Sequence, residues 1–396
     1  MNMSDFIYLD NSATTALSVA AKEKMSETFE VFGNPSSLHA AGDGAARILR
    51  EARRGILATL GIRSMSERDD EQLVFTSSGT EATSLALLGS AHAKKRREAN
   101  TIITTNSEHP SVENALRVLE DEGFCVIRLS TRGGVIDMDE LDEALKSPVF
   151  MASIMLVNNE TGALYDVKSV FDKVKRAYPD AITHCDAVQG YLKLRVTPAS
   201  LGADLITVSA HKIHGPKGVG ALYIAPHILK ERKISPFIVG GGQEHGMRSG
   251  TENVIGIAGF SAAAAEGFSS MAKNMPRVAE LRDLCESLIT GADIGIRANV
   301  PKGARAPHIL NITLPSIKSQ TMLNFLSRKG IYVSSGSACS SHSAKPSSSL
   351  IAFGLPADEA DTSLRISFSE YNTESDVHAL VEALKSGVAT LVKIKR

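Results

Sequence analysis

The 396-residue sequence contains no run of about 18 apolar residues, so no membrane-spanning helix is expected. Its opening, MNMSDFIYLD, has neither a basic stretch nor an apolar core and does not read as a signal peptide. Charge of one sign is missing too: 43 Lys and Arg face 44 Asp and Glu, a net charge of −1. Nothing in that balance draws the whole chain to nucleic acid or to an anionic membrane. Cysteine is sparse. Cys125, Cys185, Cys285 and Cys339 show no CxxC spacing, which argues against a structural zinc or iron–sulfur site and fits a reduced, cytoplasmic setting. No G-x-x-x-x-G-K-[ST] occurs, so a P-loop is excluded. GGGQEHG (240–246) lacks the third Rossmann glycine and reads as a flexible turn. No internal repeat is present, and KKRRE (94–98) and SERDDE (66–71) read as solvated surface.

What is present is an ordinary globular composition, 43% hydrophobic and 22% charged. The length suggests two domains at roughly 100–200 residues each. Apolar β-rich runs alternate with helical patterns: LVFTS (73–77), TIITT (101–105), FCVIRLS (124–130), FMASIMLV (150–157), AITHC (181–185), DLITVS (204–209) and GALYIA (220–225). Val112, Ala115, Leu116 and Leu119 sit at helical spacing, and a helix is expected over about 81–97. This alternation predicts an α/β domain with a largely parallel sheet covered on both faces. After about residue 255 the texture becomes α+β. VIGIAGFSAAAAEGF and PRVAELRDLCESLI read as two helices, and Thr373 with Asp376 fits a capping box before a last helix.

Five segments carry candidate chemistry. SSGTEA (77–82) follows a strand and opens a helix; Ser78 and Glu81 fit a capping box, and the free N–H groups there can hold a phosphate, although ordinary helix caps look the same. Asp186 closes an apolar strand, where open α/β sheets bind ligands, and a buried carboxylate there needs a cation, a metal or water. Lys212 lies just past another buried strand, before a Gly-rich loop. Burial lowers a lysine's pKa toward Schiff-base chemistry. A metal on His211 and His214 is disfavoured, since their spacing is not diagnostic. Cys339 sits in a Ser/Gly-rich loop (334–349) and reads as an accessible thiol, with His342 near enough in sequence to help ionise it. The other three cysteines sit in apolar patterns and read as core. Arg365 interrupts an apolar strand and could clamp a carboxylate or form an ordinary ion pair.

Together, in this order, these segments resemble the cysteine desulfurases of the NifS/IscS type, which are fold type I, class V aminotransferase-like enzymes dependent on pyridoxal 5′-phosphate (PLP). YLDNSATT (8–15), FGNPSSLH (32–39), SEHPSV around His109, VNNETG (157–162), MRSGTEN (247–253) and SSGSAC (334–339) carry the resemblance over nearly the whole chain. It implies a large, mostly parallel α/β domain over 15–258 and a smaller α+β domain formed by 1–14 and 259–396. It implies PLP on Lys212, Asp186 against the pyridinium nitrogen, Gln189 on the phenolic oxygen and His109 stacked on the ring. Gly79, Thr80, Ser209 and His211 would cradle the phosphate, and Thr251 would reach it from a neighbouring subunit, which implies a homodimer. Asn159 and Arg365 would hold the carboxylate of L-cysteine, and Cys339 would accept its sulfur as a persulfide for delivery to an acceptor protein. The 26 residues from Cys339 to Arg365 resemble the long loop of the group I enzymes.

Three departures from the family pattern stand out. Ser78-Gly79 replaces the common Gly-Ala, no Asn follows the Thr80-Glu81 pair, and the sequence ends in LVKIKR without the longer tail some members have. A selenocysteine lyase or another class V PLP enzyme remains an alternative on sequence grounds.

Overall fold

The computed structural model of the chain describes residues 6–93, 99–335 and 346–391. Seven strands form its main sheet: β1 (Leu73–Thr76), β2 (Thr101–Thr105), β3 (Cys125–Leu129), β4 (Val149–Met155), β5 (Ile182–Asp186), β6 (Leu205–Ser209) and β7 (Gly220–Ile224). Their order is β1-β7-β6-β5-β4-β2-β3. Strand β7 runs antiparallel to both of its neighbours, and the remaining pairs are parallel. Every residue of β1, β2, β5, β6 and β7 is buried. These strands are therefore rich in apolar residues on both faces, as two-sided cover demands, and the polar side chains among them, such as Thr104 and His184, are hydrogen-bonded.

Edge position explains one departure from the sequence reading. β3 is the outer strand, and its first residue, Cys125, is exposed rather than part of the core; Cys185 and Cys285 are buried as expected. SERDDE also differs. It holds a short helix, Glu67–Asp70, capped by Ser66, and Asp70 is buried, accepting from Arg54 and Ser64. KKRRE lies outside the described residues.

A four-stranded sheet lies in the second half, in the order Ser334–Ser335, Ser363–Ser367, Ile309–Thr313, Arg297–Ala298. The N-terminal strand Ile7–Tyr8 pairs in parallel with Ile331–Tyr332, so the first described residues join this half. Thr373 and Asp376 form the expected capping box at the start of the helix Glu374–Thr390. The two helices expected after residue 255 are one, Val254–Gly291, with Pro276 inside it. That helix is long and apolar enough to cross a membrane by those criteria alone. Its apolar residues are used internally: Ile257, Phe260 and Ala264 enter the larger core, while Val278, Leu281 and Ile289 enter the smaller one.

Candidate active site

Five strands end at one cavity of about 260 Å³. β1 leads to Ser78, Gly79 and Thr80; β2 to His109; β4 to Met155, Val157 and Asn159; β5 to Asp186; β6 to Ser209, His211 and Lys212. Parallel strands present their carboxyl ends to a common rim, which is where α/β sheets bind ligands. Gln189 and Arg365 also line the cavity, as do Ser12 and Ala13 from the N-terminal segment.

The Gly79–Ser84 helix begins at the rim. Ser78 Oγ accepts from the Glu81 N–H at 3.2 Å, which is half of the expected capping box. The other half is replaced: the Glu81 carboxylate accepts from the Ser77 N–H at 2.8 Å and pairs with Arg248 at 2.8 Å. Space is tight at Gly79 and excludes a side chain at Gly220. A Cβ on Gly79 would stand 3.1 Å from Val188 and 3.3 Å from Ser209, and one on Gly220 would meet the Ser78 backbone at 2.5 Å.

Lys212 lies on a short turn after β6, and its Nζ donates to the carbonyls of Ser12 at 2.6 Å and Ala13 at 2.8 Å. Asp186 is buried; its Oδ1 accepts from the Val188 N–H at 3.0 Å. Burial raises its pKa to about 6, opposed by that N–H and by the Lys212 charge. Burial and then Lys212 lower His109 to about 4, so the ring is neutral near pH 7. Its Nδ1 accepts from the Ser111 N–H at 3.1 Å, which leaves the ring proton on Nε2. Beside it, burial lifts Glu108 to about 8. Gln189 donates to the Ser12 carbonyl at 2.9 Å, and its Oε1 faces His308 Nε2 at 3.4 Å.

The structure thus brings Gly79, Thr80, His109, Asn159, Asp186, Gln189, Ser209, His211, Lys212 and Arg365 together around one cavity. Thr251 is exposed and is not among the residues lining it. Cys339 and His342 lie outside the described residues. His211 and His214 point to different partners: His211 Nδ1 faces Thr14 Oγ1, whereas His214 faces the Ala16 carbonyl and Glu370.

Sequence reasoning gave no role to Ser12, Ala13, Glu108 or His308. Nor did it anticipate that GGGQEHG is anchored rather than flexible. Glu244 is buried, held by two 2.7 Å bonds from Arg53 and one from the Phe75 N–H, although its φ is +50°. A charged anchor hidden in a Gly-rich run is the feature that composition alone conceals.

The site suits a phosphorylated aromatic aldehyde. Two buried hydroxyls at the cavity wall, Ser12 Oγ and Ser209 Oγ, have no hydrogen-bond partner among the described residues, and buried polar atoms are normally satisfied. The glycine-lined helix start offers N–H groups to an anion. An amine and a buried carboxylate, both on the cavity wall, match an aldehyde and a ring nitrogen.

The aminotransferase class-V family profile matches residues 7–380. Cysteine desulfurase IscS of Dictyoglomus turgidum is 37% identical over 381 residues, covering 96% of this chain and 93% of that protein. A solved NifS-like protein is 33% identical, with a TM-score of 0.88, over 98% of this chain and 100% of that one. A structure of SspA in complex with cysteine is 29% identical, with a TM-score of 0.77, over 93% and 100% of the two chains.

Proposed function

The chain belongs to the class-V aminotransferase family, among the cysteine desulfurases of the NifS/IscS type, and from that membership we propose the residues that carry the reaction. The reaction converts L-cysteine to L-alanine and moves the sulfur to an enzyme thiol, which becomes a persulfide. Atoms balance: the C–S bond of cysteine breaks, an S–S bond forms, and the protons of the two thiols end on alanine and on the persulfide.

The observation that carries the assignment is the convergence of Lys212, Asp186 and His109 with the unpartnered Ser209 hydroxyl on one cavity. Lys212 holds PLP through its amine and afterwards moves the proton at the substrate Cα. Bound PLP supplies an electron sink that stabilises negative charge at that carbon. Asp186 would face the ring nitrogen; burial raises its pKa to about 6 even against the Lys212 charge, and a cationic ring nitrogen beside it would lower it, so that the pair would keep the nitrogen protonated. Gln189 holds the phenolic oxygen. Neutral His109, on the cavity wall, would help hold the ring and would offer its Nε2 proton. The Gly79 and Thr80 N–H groups, with Ser209 and His211, hold the phosphate. Arg365 and Asn159 orient the substrate carboxylate. Cys339 attacks the substrate sulfur as a thiolate and carries it to a sulfur-acceptor protein, in support of iron–sulfur cluster assembly, cofactor thiolation or tRNA thiolation.

A homodimer completes the site, with Thr251 of one chain reaching the phosphate of the other. Exposed apolar side chains support this reading: Phe29, Phe32, Leu38 and Val239 are 64%, 90%, 106% and 79% exposed, and such surface calls for cover. The free thiols fit a reduced, cytoplasmic setting. The deciding experiment incubates the protein with L-cysteine and weighs its peptides without reduction. One added sulfur atom on the peptide containing Cys339 is the expected result. Sulfide release that continues unchanged in Cys339→Ser would remove this cysteine from the reaction.

A further inference from the structure

β4 ends at Met155, and the chain then turns through residues 158–162 beside the main cavity. The turn is built around Asn158, which is fully buried and is not among the residues lining that cavity. Its Oδ1 accepts from the Glu160 N–H at 3.0 Å, the Thr161 N–H at 2.9 Å and the Thr161 hydroxyl at 3.0 Å. Its Nδ2 donates to the Ser107 carbonyl at 3.1 Å and to Met155 Sδ at 3.5 Å. The two backbone N–H donors settle which end of the amide is oxygen. An Asn that bonds its own backbone two and three residues on fixes a turn from inside. The tie to Ser107, two residues before His109, joins the wall that carries His109 to the wall that carries Asn159.

The outer side of the same turn carries the second half of the chain. The Asn159 carbonyl accepts from Arg365 Nη1 at 3.0 Å, the Glu160 carbonyl from Asn311 Nδ2 at 3.2 Å, and the Gly162 carbonyl from the Ala306 N–H at 2.8 Å. Asn311 and Arg365 are cross-strand partners in the four-stranded sheet. A turn ordered from within by one amide is thus the surface against which Arg365 is aligned.

We infer that Asn158 is a positioning residue for substrate binding: it fixes the turn that presents Asn159 to the cavity and whose carbonyl aligns Arg365. The inference rests on Asn159 and Arg365 being the residues that hold the substrate carboxylate. A planar guanidinium fork binds a carboxylate through two parallel bonds, so it is sensitive to small changes in angle. Removing Asn158 leaves the Glu160 and Thr161 N–H groups and the Ser107 carbonyl without the partner each has now. Buried groups of this kind find other partners by moving, and the turn moves with them. Asp186 closes β5 and Lys212 follows β6, so neither is carried on this turn. The expected effect therefore falls on recognition of the carboxylate and spares the cofactor.

The test uses the full-length, PLP-loaded protein and two ligands that carry no sulfur. L-Alanine has the carboxylate; L-alaninamide has the same amine without the anionic group. Each is titrated against the PLP absorbance to give a Kd. Asn158→Ala weakens L-alanine about tenfold, the loss of one charge-assisted hydrogen bond, and L-alaninamide less than about twofold. Asn158→Ser is the milder variant: its shorter side chain cannot reach both turn N–H groups and Ser107 at once, and the same ratio is read from it if Asn158→Ala does not fold. A general loosening of the fold weakens both ligands by the same factor, so equal factors overturn the inference, as do two unchanged Kd values. In the background of Arg365→Lys, Asn158→Ala costs L-alanine less than it does in the wild type, because the fork it aligned is gone; losses that simply add overturn the inference too. Arg365→Lys alone tests the reading beneath it. If the ratio of the two Kd values ignores Arg365→Lys, Arg365 does not hold the carboxylate, and both fall. If the ratio responds to Arg365→Lys and not to Asn158→Ala, the reading of Arg365 stands and only the role of Asn158 is lost.

Discussion

Arg365 Nη2 lies 2.7 Å from Asp10 Oδ1, and Arg365 Nη1 donates to the Asn159 carbonyl at 3.0 Å. The guanidinium is buried and its Nε has no partner among the described residues. Of the two readings from sequence, Arg365 therefore shows the ion pair, and the carboxylate clamp is the one its variant tests. It makes an ion pair, and that pair holds its planar fork at the cavity wall. Lysine cannot reproduce a fork held from two sides. Arg365→Lys is expected to raise KM for L-cysteine about 10–100-fold, the loss of one or two charge-assisted hydrogen bonds. A smaller effect on kcat is expected. Steady-state rates over a range of cysteine concentrations separate the two.

Lys212→Ala removes the only amine that the described residues place on the wall of the main cavity. The purified wild type is expected to absorb at about 390–430 nm, the range of a lysine-linked pyridoxal chromophore. The variant should lack that band even after PLP is added. A wild type that stays colourless in excess PLP is incompatible with the assignment.

Arg248 and Glu81 tie the segment after the Gly-rich loop to the helix that begins at the proposed phosphate cradle. Without Arg248, the Glu81 carboxylate would stand uncompensated near a dianionic phosphate. Arg248→Ala is expected to weaken PLP binding about 5–30-fold, a cost of about 1–2 kcal/mol. Glu81→Gln added to that variant should recover most of the loss, because the repelling charge goes with it. Two losses that simply add in the double variant would mean the pair is not coupled through charge.

Glu108 sets a pH dependence whose sign is opposite to that of a surface carboxylate. Its folded pKa, about 8, is above the unfolded value. The folded state then holds a proton that the unfolded state has released over the interval between them, and stability falls as pH rises through it. Above about pH 8 the full cost of a buried charge is present. Glu108→Gln keeps an oxygen for the Thr105 hydroxyl and the Met155 N–H and carries no charge. Its melting temperature should gain on the wild type as pH climbs from about 5 to about 8.5, by about 2–4 °C per kcal/mol relieved. A gap that stays constant across that range would show that Glu108 does not titrate there.

The parts of the site legible in sequence share one property: each sits where an apolar strand stops. Asp186 and Lys212 stood out because a charged residue at the end of a buried run needs a partner or a task. Arg365 stood out because it interrupts one. A glycine beside a helix start marked the proposed cradle. What stayed hidden depends on contacts between distant segments. The carbonyls that hold Lys212 come from Ser12 and Ala13, 200 and 199 residues earlier. Nothing in YLDNSATT announces that a backbone oxygen there will meet an amine. Glu244 was hidden for the same reason, since Arg53 and β1 supply its partners from 191 and 169 residues away. The misreading of Cys125 was of a different kind. FCVI is as apolar as the inner strands, and only its place at the rim of the sheet exposes it.

The helix Val254–Gly291 gives its first turns to one core and its later turns to the other, with Pro276 between them. A beam shared in this way forbids piecemeal melting. Neither half can lose its packing without withdrawing support from its neighbour, so calorimetry on the protein should record one endotherm rather than two. Proteolysis within the helix should likewise be all-or-none, waiting on global rather than local opening.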